Sequence, residues 1–372
     1  MDPGALDGFS KLVGRAAEGG EKAVAYIGTH AQIEKGGGDL YDLVAGDHDQ
    51  YVSEAKKALG KVRGVLDSSM KELAGSAKYY RATDRDEAAQ LDATYPGSKA
   101  SAGASGGDPH DFADASDAAD TLKPPDGDSN NPIVKYASGH ADEFQMSPVQ
   151  KTLGTALDIG SPSAMAVEAS KLLFDFDPFA VCTNWVFGDW NTYNDCADVW
   201  ANLASFCDAV AANVRKGNQT VGLSWDGNAA DAATVYFDEF SKKLDEIKET
   251  FESLRSCYAQ AAQLAFQLAE FLKSFLVSFC DLLVIWMVNL AAAWAVNAIP
   301  VGGQVASAGM FALAAAQALR LMQMWSEAAM TFDRFAMALS AIALAASAAI
   351  NGFSAADGFP EVGTSGYDHQ AV

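Results

Sequence analysis

Five cysteines are the most reactive side chains in the sequence, and their spacing favours a disulfide over a metal site. They form no Cys-x-x-Cys pair, and no histidine lies at a zinc-ligand spacing from them. In an antiparallel helical hairpin that turns near residue 226, Cys196 and Cys257 would lie at the same height, as a disulfide requires. Cys182 and Cys280 are a weaker second pair, and either bond would form only after export from a reducing cytosol. The alternative is that all five are small buried apolar residues.

Signatures of enzymes do not occur in the sequence. It has no glycine loop for phosphate, no GxSxG and no HExxH. The five histidines are scattered, and His48-Asp49 is interpreted as a solvated pair in a turn. Carboxylates spread along helix faces are typical of a solvated surface. We therefore expect no catalysis, no cofactor and no metal.

Two short motifs stand out from this background. The first is Trp225-Asp226-Gly227, which lies between two long helical segments. There Gly227 permits a turn, Asp226 or Asn228 can cap the next helix, and Trp225 can plug the open end of a hairpin. The second is Tyr80-x-x-x-Asp84, at the end of a predicted helix whose apolar stripe includes Tyr80. Each motif alone also has a purely structural interpretation.

Composition indicates which elements must position these residues. The chain has 372 residues, 26 Lys and Arg against 48 Asp and Glu, and a net charge of −22. Long Ala- and Leu-rich stretches with few β-branched runs predict an all-α fold. The anionic balance argues against binding to nucleic acid, or to an anionic membrane surface, by simple electrostatics.

Composition shifts divide the chain into five segments. The acidic stretch 96–134 contains seven Asp and little that is apolar and larger than Ala, so it is predicted to be a disordered linker. The first arm of a predicted N-terminal hairpin is rich in glycine, which lowers its helix propensity. The predicted segments are an N-terminal helical hairpin (1–95), the linker (96–134), a long helical hairpin (135–275), an apolar helix pair (276–350) and a flexible tail (351–372).

The second half of the chain carries the clearest helical pattern. Residues 228–299 contain neither Gly nor Pro, and Pro300 ends the stretch before a second helix from about Gln304 to Ile350. A preceding helix is predicted from about Trp185 to Lys216, with Gly217 past its C terminus. Alternating steps of four and three predict a coiled-coil seam, formed by Phe240, Leu244, Ile247, Phe251, Leu254, Tyr258, Ala261, Ala265, Leu268, Leu272 and Phe275.

Together the two motifs resemble the paired signals of type VII (ESX) secretion substrates, the WXG-motif family and its PE and PPE relatives. The stretch YYRATDRDEAAQLDATYP resembles the end of actinobacterial Esp-type secretion targets. KLLFDFDPF followed by SWDGNAADAATVYFDEF is similar to the WXG-like trafficking modules of actinobacterial polymorphic toxins. In such families the WxG turn and the YxxxD helix end lie side by side and form a composite export signal. The resemblance thus implies that Trp225, Gly227, Tyr80 and Asp84 are the export-signal residues.

The expected function follows from this resemblance. Both motifs lie in one polypeptide and no toxin domain follows, so we expect a non-catalytic exported protein with a structural, interaction or pore-related role. It would be secreted or reach the cell envelope without a Sec or Tat signal peptide. Its expected partners are the type VII secretion ATPase and chaperone machinery and further copies of itself, as a homo-oligomer.

The apolar C-terminal third supports a rival interpretation. From Ser274 to Ile299 only Asp281 is charged, and 26 residues are long enough to cross a bilayer. These helices could contact a membrane, and the chain could be an integral membrane component retained by its producing cell through residues 274–350. Against insertion, polar and charged residues recur on one helical face, namely Gln317, Arg320, Glu327 and Arg334.

Overall fold

The computed structural model describes residues 2–83, 90, 93, 107–126, 162–186, 188–300 and 302–360. Within these ranges every regular element is a helix and no strand occurs, as the sequence predicted. Two 3₁₀ helices span Ala119–Thr121 and Ile350–Gly358. The α-helices are α1 (Pro3–His30), α2 (Tyr41–Ala45), α3 (His48–Ala82), α4 (Pro162–Phe174), α5 (Pro178–Val186), α6 (Asn191–Val221), α7 (Asn228–Asn297) and α8 (Gly303–Ala349).

One bundle contains most of the buried residues. Helices α1 and α3 pair as the predicted N-terminal hairpin, α6 and α7 form the second hairpin, and α1 packs on α6. Their apolar faces merge into a single hydrophobic core, to which the end of α8 adds Leu339, Ile342 and Ala346. Every residue of the predicted seam from Phe240 to Leu272 is buried. The N-terminal hairpin therefore docks on the second hairpin within one chain.

The longest helix, α7, extends beyond the bundle. Helix α7 runs without a break for 70 residues, or about 105 Å at about 1.5 Å per residue. The predicted boundary between residues 275 and 276 lies inside this helix. Its outer end and the start of α8 form an apolar hairpin that turns at Pro300. A second, smaller core lies on this hairpin, formed by Ala169, Phe279, Leu283, Trp286, Ala314 and Leu321.

Part of the predicted disordered linker has a defined course along the bundle. Residues 107–126 run past α1 and α6, and Phe112 is 8% exposed with its ring 6.3 Å from that of Phe9. The Asn213 side chain accepts from the amides of residues 115 and 116, at 2.7 and 3.2 Å. Residues 107–126, which the composition predicted to be disordered, are thus packed on the bundle through the Phe112 ring and these hydrogen bonds. The rest of the linker lies outside the described residues.

Two helix ends differ from the sequence prediction. Helix α6 continues through Gly217 to Val221. Gly217 is a close-packing position and not a C-cap, because an added Cβ there would come within 2.5 Å of the Phe9 ring. The start of the predicted flexible tail is packed. Phe353 and Phe359 are buried against Phe251 and Phe240, with ring centroids 5.0 and 4.9 Å apart, respectively. Residues 361–372 lie outside the described residues.

Candidate functional site

The two sequence motifs meet at one end of the bundle. This bundle end is formed by the start of α1, the last turn of α3 and the loop 222–227 between α6 and α7. The Tyr80 ring lies edge-on to the Trp225 ring, with centroids 6.5 Å apart and planes at 78°. Gly227 follows two residues later in the same loop. Asp84, the fourth residue of the inferred signal, lies outside the described residues.

The loop before α7 holds Trp225 in place. After α6, the amide of Trp225 donates to the carbonyl of Val221 at 3.0 Å, so the chain folds back on the helix end. Gly227 then adopts φ 114°, in the left-handed region that favours glycine, and is itself the N-cap residue of α7. The N-cap residue is therefore Gly227, whereas the sequence predicted capping by Asp226 or Asn228.

The Trp225 side chain is buried and packs inside the bundle end, so a partner could contact it only slightly. Its side chain is 4% exposed, and its indole N–H is buried without a hydrogen-bond partner among the described residues. Tyr80 is half-buried above it and also contacts the ring of Tyr79. The buried indole thus supports a tyrosine that a partner can reach.

Polar contacts tie the three parts of the bundle end together. The Arg81 guanidinium pairs with the carboxylate of Asp7, which joins the last turn of α3 to α1. The Asp2 amide donates to the carbonyl of Ser224 at 3.1 Å, while its carboxylate caps α1 by accepting from the Gly4 amide at 2.7 Å. The start of α1, the last turn of α3 and the loop 222–227 are therefore held in one fixed arrangement.

His48 is a buried residue that the sequence analysis wrongly assigned to the surface. It is 1% exposed, and its Nε2 donates to the carbonyl of Ala31 at 3.2 Å. Because a carbonyl can only accept, Nδ1 is the acceptor, and it receives the hydroxyl hydrogen of Tyr258 at 2.5 Å. Burial lowers the pKa of His48, which favours this neutral form. The sequence carried no sign of this, since Tyr258 lies 210 residues away.

All five cysteines are buried free thiols in this structure. Burial raises the pKa of Cys182 and of Cys196 to about 12, and it also raises that of Cys257. These groups are therefore protonated near neutral pH and are poor nucleophiles. The bond between Cys196 and Cys257 stays a prediction for the exported protein.

The described residues contain no group of three His, Cys, Asp or Glu side chains that could hold a metal ion. Two of the described helices, α7 and α8 with its 3₁₀ extension, are long and apolar enough to cross a membrane. Comparisons with models of known protein families, with curated proteins and with solved structures found no match. The bundle end thus combines a half-buried tyrosine over a buried tryptophan with the ion pair between Arg81 and Asp7.

Proposed function

We propose that this chain is a non-catalytic substrate of a type VII (ESX) secretion system. The observation that carries the proposal is the contact between Tyr80 and Trp225 at the bundle end. The resemblance to secreted WXG-type proteins requires a WxG turn beside a YxxxD helix end. Here one chain supplies both, which supports a signal that is complete without a second subunit.

The physical role of each residue follows from its surroundings. Gly227 allows the turn, Trp225 fills the space below Tyr80, and Tyr80 presents its ring edge to the secretion ATPase or its chaperones. Because the side chains are held in place before binding, little conformational entropy is lost on recognition. After export the helical protein would act in structure, interaction or pore formation, as a homo-oligomer.

A blot of culture supernatant and cell lysate tests the export proposal. The chain is expressed in an actinobacterial host with an intact type VII system, and in the same host with the export ATPase disabled. We expect the protein in the medium of the first host and only in the lysate of the second. Equal amounts in both media, with a cytosolic marker retained in the cells, would contradict the proposal.

A second candidate function is an integral membrane component retained by the producing cell. The two long apolar helices favour it. In that case the chain would stay in the membrane fraction after a carbonate wash and would be missing from the medium of both hosts. The same fractionation therefore distinguishes the two candidates.

A further inference from the structure

The outer part of the hairpin between α7 and α8 is free of charge. Residues 282–319, here named the apolar hairpin, contain no Asp, Glu, Lys, Arg or His. Asp281 and Arg320 border this segment, and both lie about 20 positions from the turn at Pro300. In an antiparallel pair, residues equidistant from the turn lie at the same height. The hydrogen bonds of Asn289 with Gln317 and of Asn297 with Ser307 centre the pair near residues 302–303, so the two charges lie at the base of the hairpin within about one helical turn of each other.

Large apolar side chains are exposed on opposite sides of this hairpin. Trp294 is 60% exposed, Ile299 52% and Val305 85%. Ile285, also exposed, lies nine residues before Trp294, which is two and a half turns of α7 and so the opposite side of the helix. One partner helix covers only one stripe of another helix. Exposure on several sides favours an apolar solvent over a single protein partner.

Four polar side chains of the hairpin bond in pairs across its two arms. Asn289 Nδ2 donates to Gln317 Oε1 at 3.0 Å, and Ser307 Oγ donates to Asn297 Oδ1 at 3.1 Å. At the turn, the Ile299 amide donates to the carbonyl of Val296 at 3.1 Å, and proline has no amide hydrogen. Internal pairing of polar groups is what a hydrocarbon environment requires.

The length of the arms fits the thickness of a bilayer. Residues 282–299 and 303–319 correspond to about 27 and 25 Å of helix at about 1.5 Å per residue, close to a hydrocarbon core of about 30 Å. We propose that the apolar hairpin inserts, Pro300 first, into the hydrocarbon core of a phospholipid bilayer. Asp281 and Arg320 then lie at the level of the headgroups, and the bundle stays in water.

The net charge of the chain predicts which lipid headgroups are needed for insertion. The chain carries a net charge of −22, so anionic headgroups would repel it. Insertion therefore needs only zwitterionic phosphatidylcholine and persists at high salt. It does not depend on how the protein reaches the membrane, so it is independent of the export proposal.

Flotation of the full chain with phosphatidylcholine vesicles tests the insertion. Leu313→Glu places a carboxylate at an exposed position near the middle of one arm of the apolar hairpin, where the fold tolerates it. We expect it to weaken vesicle binding about a hundredfold, the cost of one charge near the bilayer centre. The matched control is Leu344→Glu, at a 72% exposed position of the same helix outside the hairpin, which should bind as the unaltered chain does. Circular dichroism verifies that all variants keep their helix content.

Quenching by brominated phosphatidylcholine gives a second readout. The unaltered chain should lose tryptophan fluorescence on binding, and Trp294→Phe should lose markedly less. Four results would overturn the proposal: no flotation with phosphatidylcholine, flotation only with anionic lipid, equal loss of binding in Leu344→Glu, or no quenching. An oligomer in lipid-free buffer that Leu313→Glu dissociates would also overturn it, because a second copy would then cover the hairpin.

Discussion

Helix α7 passes through two surroundings without a break. In the bundle its seam is fully covered: Phe251 and Leu254 are both 0% exposed. In the apolar hairpin the same helix leaves Trp294 60% exposed. Both stretches are strong helix formers, so helix propensity does not separate them. What differs is the pattern, since apolar residues form one stripe in the bundle and surround the helix in the hairpin.

This difference shows which part of the chain can bury its apolar surface in water. A single stripe needs partner helices, and α1, α3 and α6 provide them. Apolar side chains on several sides favour an apolar solvent, because α8 and the contacts of α4 near the base leave part of this surface uncovered. The bundle therefore carries the fixed bundle end with Tyr80 and Trp225, while the apolar hairpin carries the proposed membrane contact.

Removing a large aromatic side chain from each region should give the largest difference. Phe251→Ala leaves a cavity in the bundle and should lower the free energy of unfolding by about 3–5 kcal/mol. Trp294→Ala in the hairpin should lower it by only about 1 kcal/mol, the value of its edge-on contact with Phe311, since most of the side chain is exposed. Urea unfolding followed by circular dichroism measures both. Equal losses would mean that the hairpin is packed as tightly as the bundle.

Adding one methyl group sharpens the same comparison. In Gly217→Ala the new Cβ meets the Phe9 ring, so the bundle should be destabilised by about 1–3 kcal/mol. Gly309, in the hairpin, has nothing within 4 Å of its added Cβ, and Gly309→Ala should stabilise α8 by up to about 1 kcal/mol. Thermal unfolding of the two variants should therefore shift in opposite directions. A shift of the same sign would contradict the described packing.

The two regions should also respond differently to acid. The pKa of His48 is lower in the folded bundle than in the unfolded chain, so unfolding takes up a proton as the pH falls below about 6.5. Bundle stability should therefore decrease in that range, and His48→Asn, which does not titrate, should show a smaller decrease. Vesicle binding should stay constant, because residues 282–319 contain no titratable group. A pH-independent difference between the unaltered chain and His48→Asn would refute the buried neutral histidine.

The smallest expected effect concerns the cysteines. Mass mapping of secreted, non-reduced protein tests the predicted bond between Cys196 and Cys257. Since both thiols are buried and have raised pKa values, we expect them to react with an alkylating agent slowly unless the bundle is unfolded. A linked peptide pair would confirm the bond, and an alkylated Cys257 would exclude it.

The sequence predicted those elements that depend on local pattern. The stretch without Gly or Pro before Pro300 predicted α7 and its end, and the steps of four and three predicted the seam. It did not predict the docking of residues 107–126 or the burial of His48. Those depend on Asn213 and Tyr258, far away along the chain, and the Asn213 contacts use backbone groups that composition does not report. The position of Tyr80 beside Trp225 was expected only from the family resemblance.

A crossed experiment with two variants tests the central claim, that the bundle end and the apolar hairpin act separately. Trp225→Phe keeps an apolar ring and should reduce export into the medium while binding phosphatidylcholine vesicles normally. Leu313→Glu should be exported normally and bind vesicles poorly. Trp200→Phe is the matched control for the first variant, because its indole N–H is also buried without a described partner but lies within the bundle. We predict this crossed pattern, with Trp200→Phe exported normally. Loss of both activities in either variant, or equal loss of export in Trp200→Phe, would contradict it.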